Sequence, residues 1–206
     1  WWVPFCIKKR NRMINKVKQK YWRTTHKFGI RLPKTAEEAL RLDRENGNNL
    51  WRDAMDKEMK KAKVAYSPTE YTPDEAYKGN AAKLVGFQNI ECHIIFDIKI
   101  DFSRKARFVA GGHMTEAPAS LTYSSVVSRD SVKIAFLYGA LNDLDIMACD
   151  IGNAYLNAPC REKIWFVAGI ECGPELHGKV CVLVRALYGL KSSGAAWRNM
   201  FSTFIQ

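Results

Sequence analysis

DIMACDIGNAYL, residues 145–156, decides how this chain is read. It starts as an apolar strand, Ile146 to Cys149, that delivers one carboxylate, Asp150, at its end. A tight turn of small residues follows, and an aromatic ring, Tyr155, stands five positions beyond the carboxylate. Sheet-based folds carry their chemistry at strand ends. No neighbour in sequence neutralises Asp150, so two readings are open here. It is a metal ligand, or it is a helix cap, a position that Asp favours.

The surroundings bear on that choice. The 206 residues suffice for one good-sized core, and the 47% hydrophobic and 26% charged fractions are those of a globular protein. No apolar run approaches the ~20 residues of a membrane span, so no membrane partner is expected. The first residues, Trp1-Trp2-Val3-Pro4, hold neither an initiator Met nor a basic-then-apolar leader, as expected of a piece of something longer. Six cysteines are scattered without a C-x-x-C pair, which argues against structural zinc and for reduced thiols in an intracellular compartment.

The net charge of +11 has one location. Residues 1–34 contain eleven Lys and Arg and no acid, leaving 21 of the 32 basic residues against all 21 acids in the remainder. Trp1, Trp2, Phe5, Tyr21, Trp22 and Phe28 interleave with these charges. An arm of this composition is expected to contact nucleic acid, gaining salt-dependent affinity from released counterions. The alternative is a solvated linker kept soluble by its charge.

Beyond Pro33, Thr35 and Glu38 have capping-box spacing and predict a helix to about Asp43, closed by the turn at 45–49. Trp51, Ala54, Met55, Glu58, Met59 and Ala62 recur at helical intervals. Residues 66–83 read as a loop, Gly86 to Asp101 as a strand, and Ala106 to Ala110 as its hairpin partner, stopping at Gly111-Gly112. Ser131 is expected to cap a helix from Val132 to Leu141. The strand ending at Asp150, apolar runs at Ile164–Val167 and Val180–Leu187, and a helix from Gly194 to Phe204 complete the chain. Helices and antiparallel-looking strands mixed without βαβ alternation predict an α+β fold.

Three further segments carry chemistry. KARFVAGG, 105–112, is a strand with a fork of positive charge. LYGLKSSGAAW, 187–197, is a Gly/Ser turn with a lysine, opening a helix whose N-terminus attracts anionic groups. TYSSVVSRDS, 122–131, is polar and leads into a helix. TYSSVVSRDSVKIA, ACDIGNAYLNAP, KARFVAGG and above all VRALYGLKSSGAAW closely resemble the copia-type retrotransposon reverse transcriptase, in order and spacing along the chain over roughly residues 50–206. An unrelated phosphate-binding enzyme would need that combination to be accidental.

The resemblance implies a right-hand polymerase with fingers and a palm, an antiparallel sheet packed with helices. Residues 1–34 are then an arm, and 35–206 the fingers and a C-terminally truncated palm. Asp150 matches the first catalytic aspartate, a ligand of both magnesium ions, with manganese as the alternative, and the Ile151 carbonyl reaches a metal too. The N–H groups of Asn153 and Ala154 match positions at the triphosphate, and Tyr155 the aromatic that excludes a 2′-hydroxyl. Arg107, with Lys105, would hold the triphosphate. Tyr188, Gly189 and Lys191 match the turn beside nucleotide and template. The implied partners are an RNA template, a DNA primer, deoxynucleoside triphosphates and the remainder of a polyprotein, in a cytoplasmic virus-like particle or the nucleus. These roles suit the residues. Paired hard cations want carboxylate oxygens, a guanidinium grips phosphate in a bidentate fork, and a ring rejects a hydroxyl by clash.

One element of the family pattern, an aromatic-x-Asp-Asp hairpin after the LYGLK turn, is not among the 206 residues. After Asp150 the only acids are Glu162, Glu171 and Glu175. One carboxylate does not hold two magnesium ions, so these residues by themselves are expected to be inactive. A non-catalytic nucleic-acid-binding remnant of a retroelement is the alternative.

Overall fold

The structure is a computed structural model and describes residues 11–13, 15–16, 25–116, 124 and 126–206. The tryptophans and most charges of the arm lie outside the described residues, as do Thr122, Tyr123 and Ser125 of the TYSSVVS segment. The fold is mixed α+β and divides into two units, one formed by the chain up to Met55 with Ile95–Arg107, the other by Asp56–Ile94 with Phe108–Gln206.

In the first unit, strands β1 (His26–Lys27) and β2 (Ile30–Arg31) form a small antiparallel ribbon. Its two turn residues, Phe28 and Gly29, both have positive φ, as tight hairpins require. Helix α1 (Ala36–Asn46) starts at Thr35, whose side chain accepts from the Glu38 N–H. Glu38 does not complete the box on Thr35; its carboxylate accepts from the Lys34 N–H at 2.9 Å and from Arg31 at 2.7 Å. These contacts, the backbone one foremost, hold its carboxyl below the usual range. The helix ends at Gly47 in the left-handed region, three residues later than expected.

Helix α2 (Leu50–Ala62) begins with a borrowed cap. The buried Asp43 carboxylate accepts from the N–H groups of Trp51 (3.1 Å) and Arg52 (2.8 Å). Trp51 meets Phe96 edge-on at 5.4 Å, and the Arg104 guanidinium lies 5.3 Å over the Trp51 ring. The α2 periodicity is as the sequence indicates, with Trp51, Met55, Met59 and Ala62 buried.

The second unit is organised on a four-stranded sheet. Its strands are β3 (Tyr66–Pro68), β4 (Gln88–Asn89), β7 (Ile164–Val167) and β8 (Val180–Leu183), in the order β3-β8-β7-β4. Tyr66 faces Leu183 and Trp165 faces Val182 across antiparallel pairs, while Gln88 faces Ile164 across a parallel one. Strand β7 is covered on both faces, which is why it reads as an unbroken apolar run. One face presents Phe166 to Tyr66 (5.5 Å) and Phe108 (6.0 Å). The other presents Trp165 to Ala81, Leu84 and Tyr77. Phe108 and Phe166 are fully buried, each contributing about 1.5–3 kcal/mol of transfer free energy.

Strands β5 (Cys92–Ile98) and β6 (Arg104–Ala110) form a two-stranded hairpin, as expected. Both run from one unit into the other. Four expectations need correction. The segment 66–83 is no plain loop: it contributes β3 and a helical turn, α3 (Pro73–Tyr77), opened by a complete Thr72–Glu75 capping box. The strand at 86–101 is two strands, because β4 pairs with β7 before the chain turns into the hairpin. Helix α4 (Arg129–Leu141) is capped by Ser128, not Ser131; the Ser128 hydroxyl accepts the Ser131 N–H at 3.0 Å.

The last correction concerns residues 145–150, which form no strand. A strand is completed by a neighbour's donors and acceptors, and no described strand lies beside this stretch. It is exposed throughout, with Met147 93% accessible. Among the described residues no helix is long and apolar enough to cross a membrane.

Candidate active site

The second unit assembles the site from three segments far apart in sequence. The end of β6 continues as Gly111 to Thr115, helix α5 (Ala154–Asn157) follows Asp150, and the turn 187–192 opens helix α6 (Ser193–Ile205). α5 and α6 pack through small residues: Ala158, Ala186 and Ala196 form a buried cluster, flanked by Tyr155, Trp197 and Met200. Small side chains permit this approach, and they bring the Tyr155 ring to 4.9 Å from that of Tyr188, tilted by 53°. Asn153, just before α5, has left-handed backbone (φ 55°), a conformation Asn tolerates better than most residues.

The turn is joined to β6 by backbone. The Ala110 N–H donates to the Tyr188 carbonyl at 2.7 Å, and Val109 bridges Tyr188 in parallel register. Gly189 has φ +97°, and a Cβ there would overlap the Ala110 carbonyl oxygen and stand 3.1–3.2 Å from two more Ala110 backbone atoms. A Cβ on Gly112 would lie 2.9 Å from the Leu190 Cα. Glycines of KARFVAGG and LYGLK are therefore required by each other's proximity. The two motifs that are separate in sequence form one structure.

Side chains tie the same turn. Ser193 Oγ donates to the Leu187 carbonyl at 2.6 Å, and the Lys191 ammonium donates to the Thr115 carbonyl. Ser192, at the start of α6, makes no side-chain cap bond to its own helix. Its N–H (3.0 Å) and hydroxyl (2.6 Å) both donate to Glu162 Oε1. The N-terminus expected to attract an external anion is thus occupied by a carboxylate of the chain itself. Glu162, Ser192 and Thr115 escape a sequence reading: thirty residues separate Glu162 from Ser192, and no periodicity links them.

Asp150 is exposed, and Ile151 is 39% accessible. Among the described residues no group of three or more His, Cys, Asp or Glu side chains is placed to hold a metal ion. Asp150 and the Ile151 carbonyl supply too few donors for a pair of cations. Lys105 and Arg107 lie on the part of β6 that belongs to the first unit. There, burial raises the Asp97 carboxyl, but the Lys27 hydrogen bond, the Ile98 N–H and the nearby Lys27 and Lys105 charges outweigh it and hold the group below its ordinary range.

The five described cysteines are free. Burial pushes the Cys172 thiol up to about 12, and those of Cys160 and Cys181 up to about 11. They are protonated packing groups at neutral pH.

Strands and helices in this α+β arrangement, with the Tyr155–Tyr188 pair and the glycine-locked turn, are compatible with a polymerase domain. Residues 80–206 match the model of the family described as reverse transcriptase (RNA-dependent DNA polymerase). The chain belongs to that family, in its copia-type branch. Among curated proteins it is similar to the transposon Ty1-BL Gag-Pol polyprotein of Saccharomyces cerevisiae (strain ATCC 204508 / S288c), 32% identical over 121 residues. The Ty1-DR4 Gag-Pol polyprotein of the same yeast matches equally, at 32% over 121 residues. Each alignment covers 56% of this chain and 7% of the relative, so the chain spans only a small part of their length. No solved structure matches it.

Proposed function

We propose that residues 35–206 are the fingers and part of the palm of a right-hand polymerase that copies RNA into DNA within a longer retrotransposon polyprotein. The observation that carries this reading is the meeting of Tyr155 with the Tyr188–Gly189 turn inside the family-matched region. Asp150 is the carboxylate directed to a catalytic divalent cation, with the Ile151 carbonyl beside it. The N–H groups of Asn153 and Ala154 and the side chains of Lys105 and Arg107 serve the triphosphate. Tyr155 discriminates against a 2′-hydroxyl by clash, with Tyr188, Gly189 and Lys191 on the nucleotide and template side. The partners are RNA template, DNA primer and deoxynucleoside triphosphates, and the arm 1–34 provides most of the affinity for nucleic acid. The setting is intracellular.

The 206 residues by themselves extend no primer, with magnesium or with manganese. Primer extension on an RNA template tests this, and incorporation above that of Asp150→Ala would refute it. Deleting residues 1–34 should weaken nucleic-acid binding and flatten its salt dependence; an unchanged affinity and slope would remove the arm from the reading. The other reading is a non-catalytic nucleic-acid-binding remnant of a retroelement. Reading the genomic frame past Gln206 separates the two. An aromatic-x-Asp-Asp continuation supports the enzyme, and an early stop supports the remnant.

A further inference from the structure

We infer that Glu162 is a positioning residue of the nucleotide site, holding Tyr188 against Tyr155 by closing the start of α6; this rests on the nucleotide reading above. Three of the ties on the turn that presents Tyr188 bear on this. The Ala110 N–H holds the Tyr188 carbonyl, Ser193 Oγ holds the Leu187 carbonyl, and Glu162 holds Ser192 through both its N–H and its hydroxyl. The first two have carbonyl acceptors, and the third has a carboxylate acceptor, the stronger kind.

The third is also the only one of them that does the work of a helix cap. Ser192 has helical backbone (φ −92°, ψ −10°) and makes no cap bond itself, so its hydroxyl is available to Glu162. The first N–H groups of a helix lack intrahelical acceptors, and a carboxylate there is favoured by both hydrogen bonding and the helix dipole. Glu162 stands two residues before β7, a strand buried on both faces, so its backbone is held by the sheet. The Cys160 thiol donates to the Glu162 carbonyl at 3.2 Å, and the Thr115 hydroxyl, committed to the Gly112 carbonyl at 2.9 Å, lies 3.5 Å from Glu162 Oε2. The Lys191 ammonium reaches the Thr115 carbonyl from the other side of the turn. Glu162 thereby couples the sheet to the turn.

The test uses the 206-residue chain with Glu162→Gln, which keeps one acceptor oxygen but no charge, and Glu162→Ala, which keeps neither. Two quantities are read: amide hydrogen exchange at Ser192, and affinity for an N-methylanthraniloyl-labelled dATP with magnesium, with Tyr155→Ala as reference. Loss of a charged acceptor should speed Ser192 exchange and weaken the nucleotide by about tenfold in Glu162→Ala, with Glu162→Gln between it and the parent. Should Glu162→Ala not fold, Glu162→Gln carries the comparison. Unchanged Ser192 exchange in the folded variants overturns the inference. So does faster exchange with parent-like nucleotide affinity while Tyr155→Ala loses affinity, because Glu162 is then merely structural. A parent chain that binds no nucleotide, or a Tyr155→Ala variant that binds as well as the parent, refutes the nucleotide reading itself and the positioning role with it.

Discussion

Gly189→Ala should be among the most damaging single substitutions in the second unit, although Gly189 is exposed and no apolar contact is lost. Its φ of +97° puts an L side chain in a region that costs roughly 1–2 kcal/mol. The new Cβ would overlap the Ala110 carbonyl oxygen, a backbone atom that no rotamer change can move away. Relief requires the turn and the end of β6 to separate, which breaks the 2.7 Å Ala110–Tyr188 hydrogen bond, worth about 1 kcal/mol net. It also disturbs the close Gly112–Leu190 approach and the packing of fully buried Leu187. A stiffer unfolded chain disfavours unfolding by another contribution of opposite sign, less than about 1 kcal/mol. These terms leave a loss of about 1–3 kcal/mol, to which the disturbed packing adds, against a typical domain stability of ~5–15 kcal/mol. Urea unfolding followed by tryptophan fluorescence measures it, with Gly152→Ala as control, since a Cβ at Gly152 meets nothing within 4 Å. If the midpoint of Gly189→Ala matched that of the control, the glycine lock between the two motifs would be wrong.

Other perturbations test separate parts of the fold. Glu58 Oε1 accepts the Phe108 N–H at 3.2 Å, so Glu58→Ala should cost about 1–3 kcal/mol in urea unfolding, and a neutral result would mean that water replaces it. Asp43→Ala removes the cap of α2 and should cost about 1–2 kcal/mol, with Asp43→Asn closer to the parent; equal losses in both would deny the capping role. Iodoacetamide at pH 8 should label exposed Cys149 well before buried Cys181, whose thiol burial pushes up to about 11; equal rates by mass spectrometry would contradict that burial. The depressed Glu38 carboxyl stabilises the folded state above the ordinary carboxylate pKa and ceases to do so as pH falls through its own lower value. The midpoint difference between parent and Glu38→Gln should therefore shrink on acidification, and a difference constant from pH 7 to pH 3 would rule this out.

What the sequence determined by itself are the elements whose signal is local. The α2 stripe, the β5–β6 hairpin, the β7 run and α6 all follow from periodicity or turn chemistry within a dozen residues. The family is legible for a related reason, since it is written in short motifs. Tertiary structure decided what depends on a distant partner. Residues 145–150 have strand composition, but a strand exists only beside another, and no described strand accompanies them. Tyr66–Pro68, in a stretch rich in proline and charge, becomes a strand because β8 supplies its hydrogen bonds. The cap of α4 moved from Ser131 to Ser128 because either serine suits the local pattern and the backbone chose between them. Within the site, Asp150, Tyr155 and Tyr188 could be nominated from the motifs, whereas the pairing of two rings and the role of Glu162 could not. Those arise where the Ala110 backbone meets the turn at Tyr188–Gly189 and the Glu162 carboxylate reaches Ser192, and sequence separation carries no record of that approach.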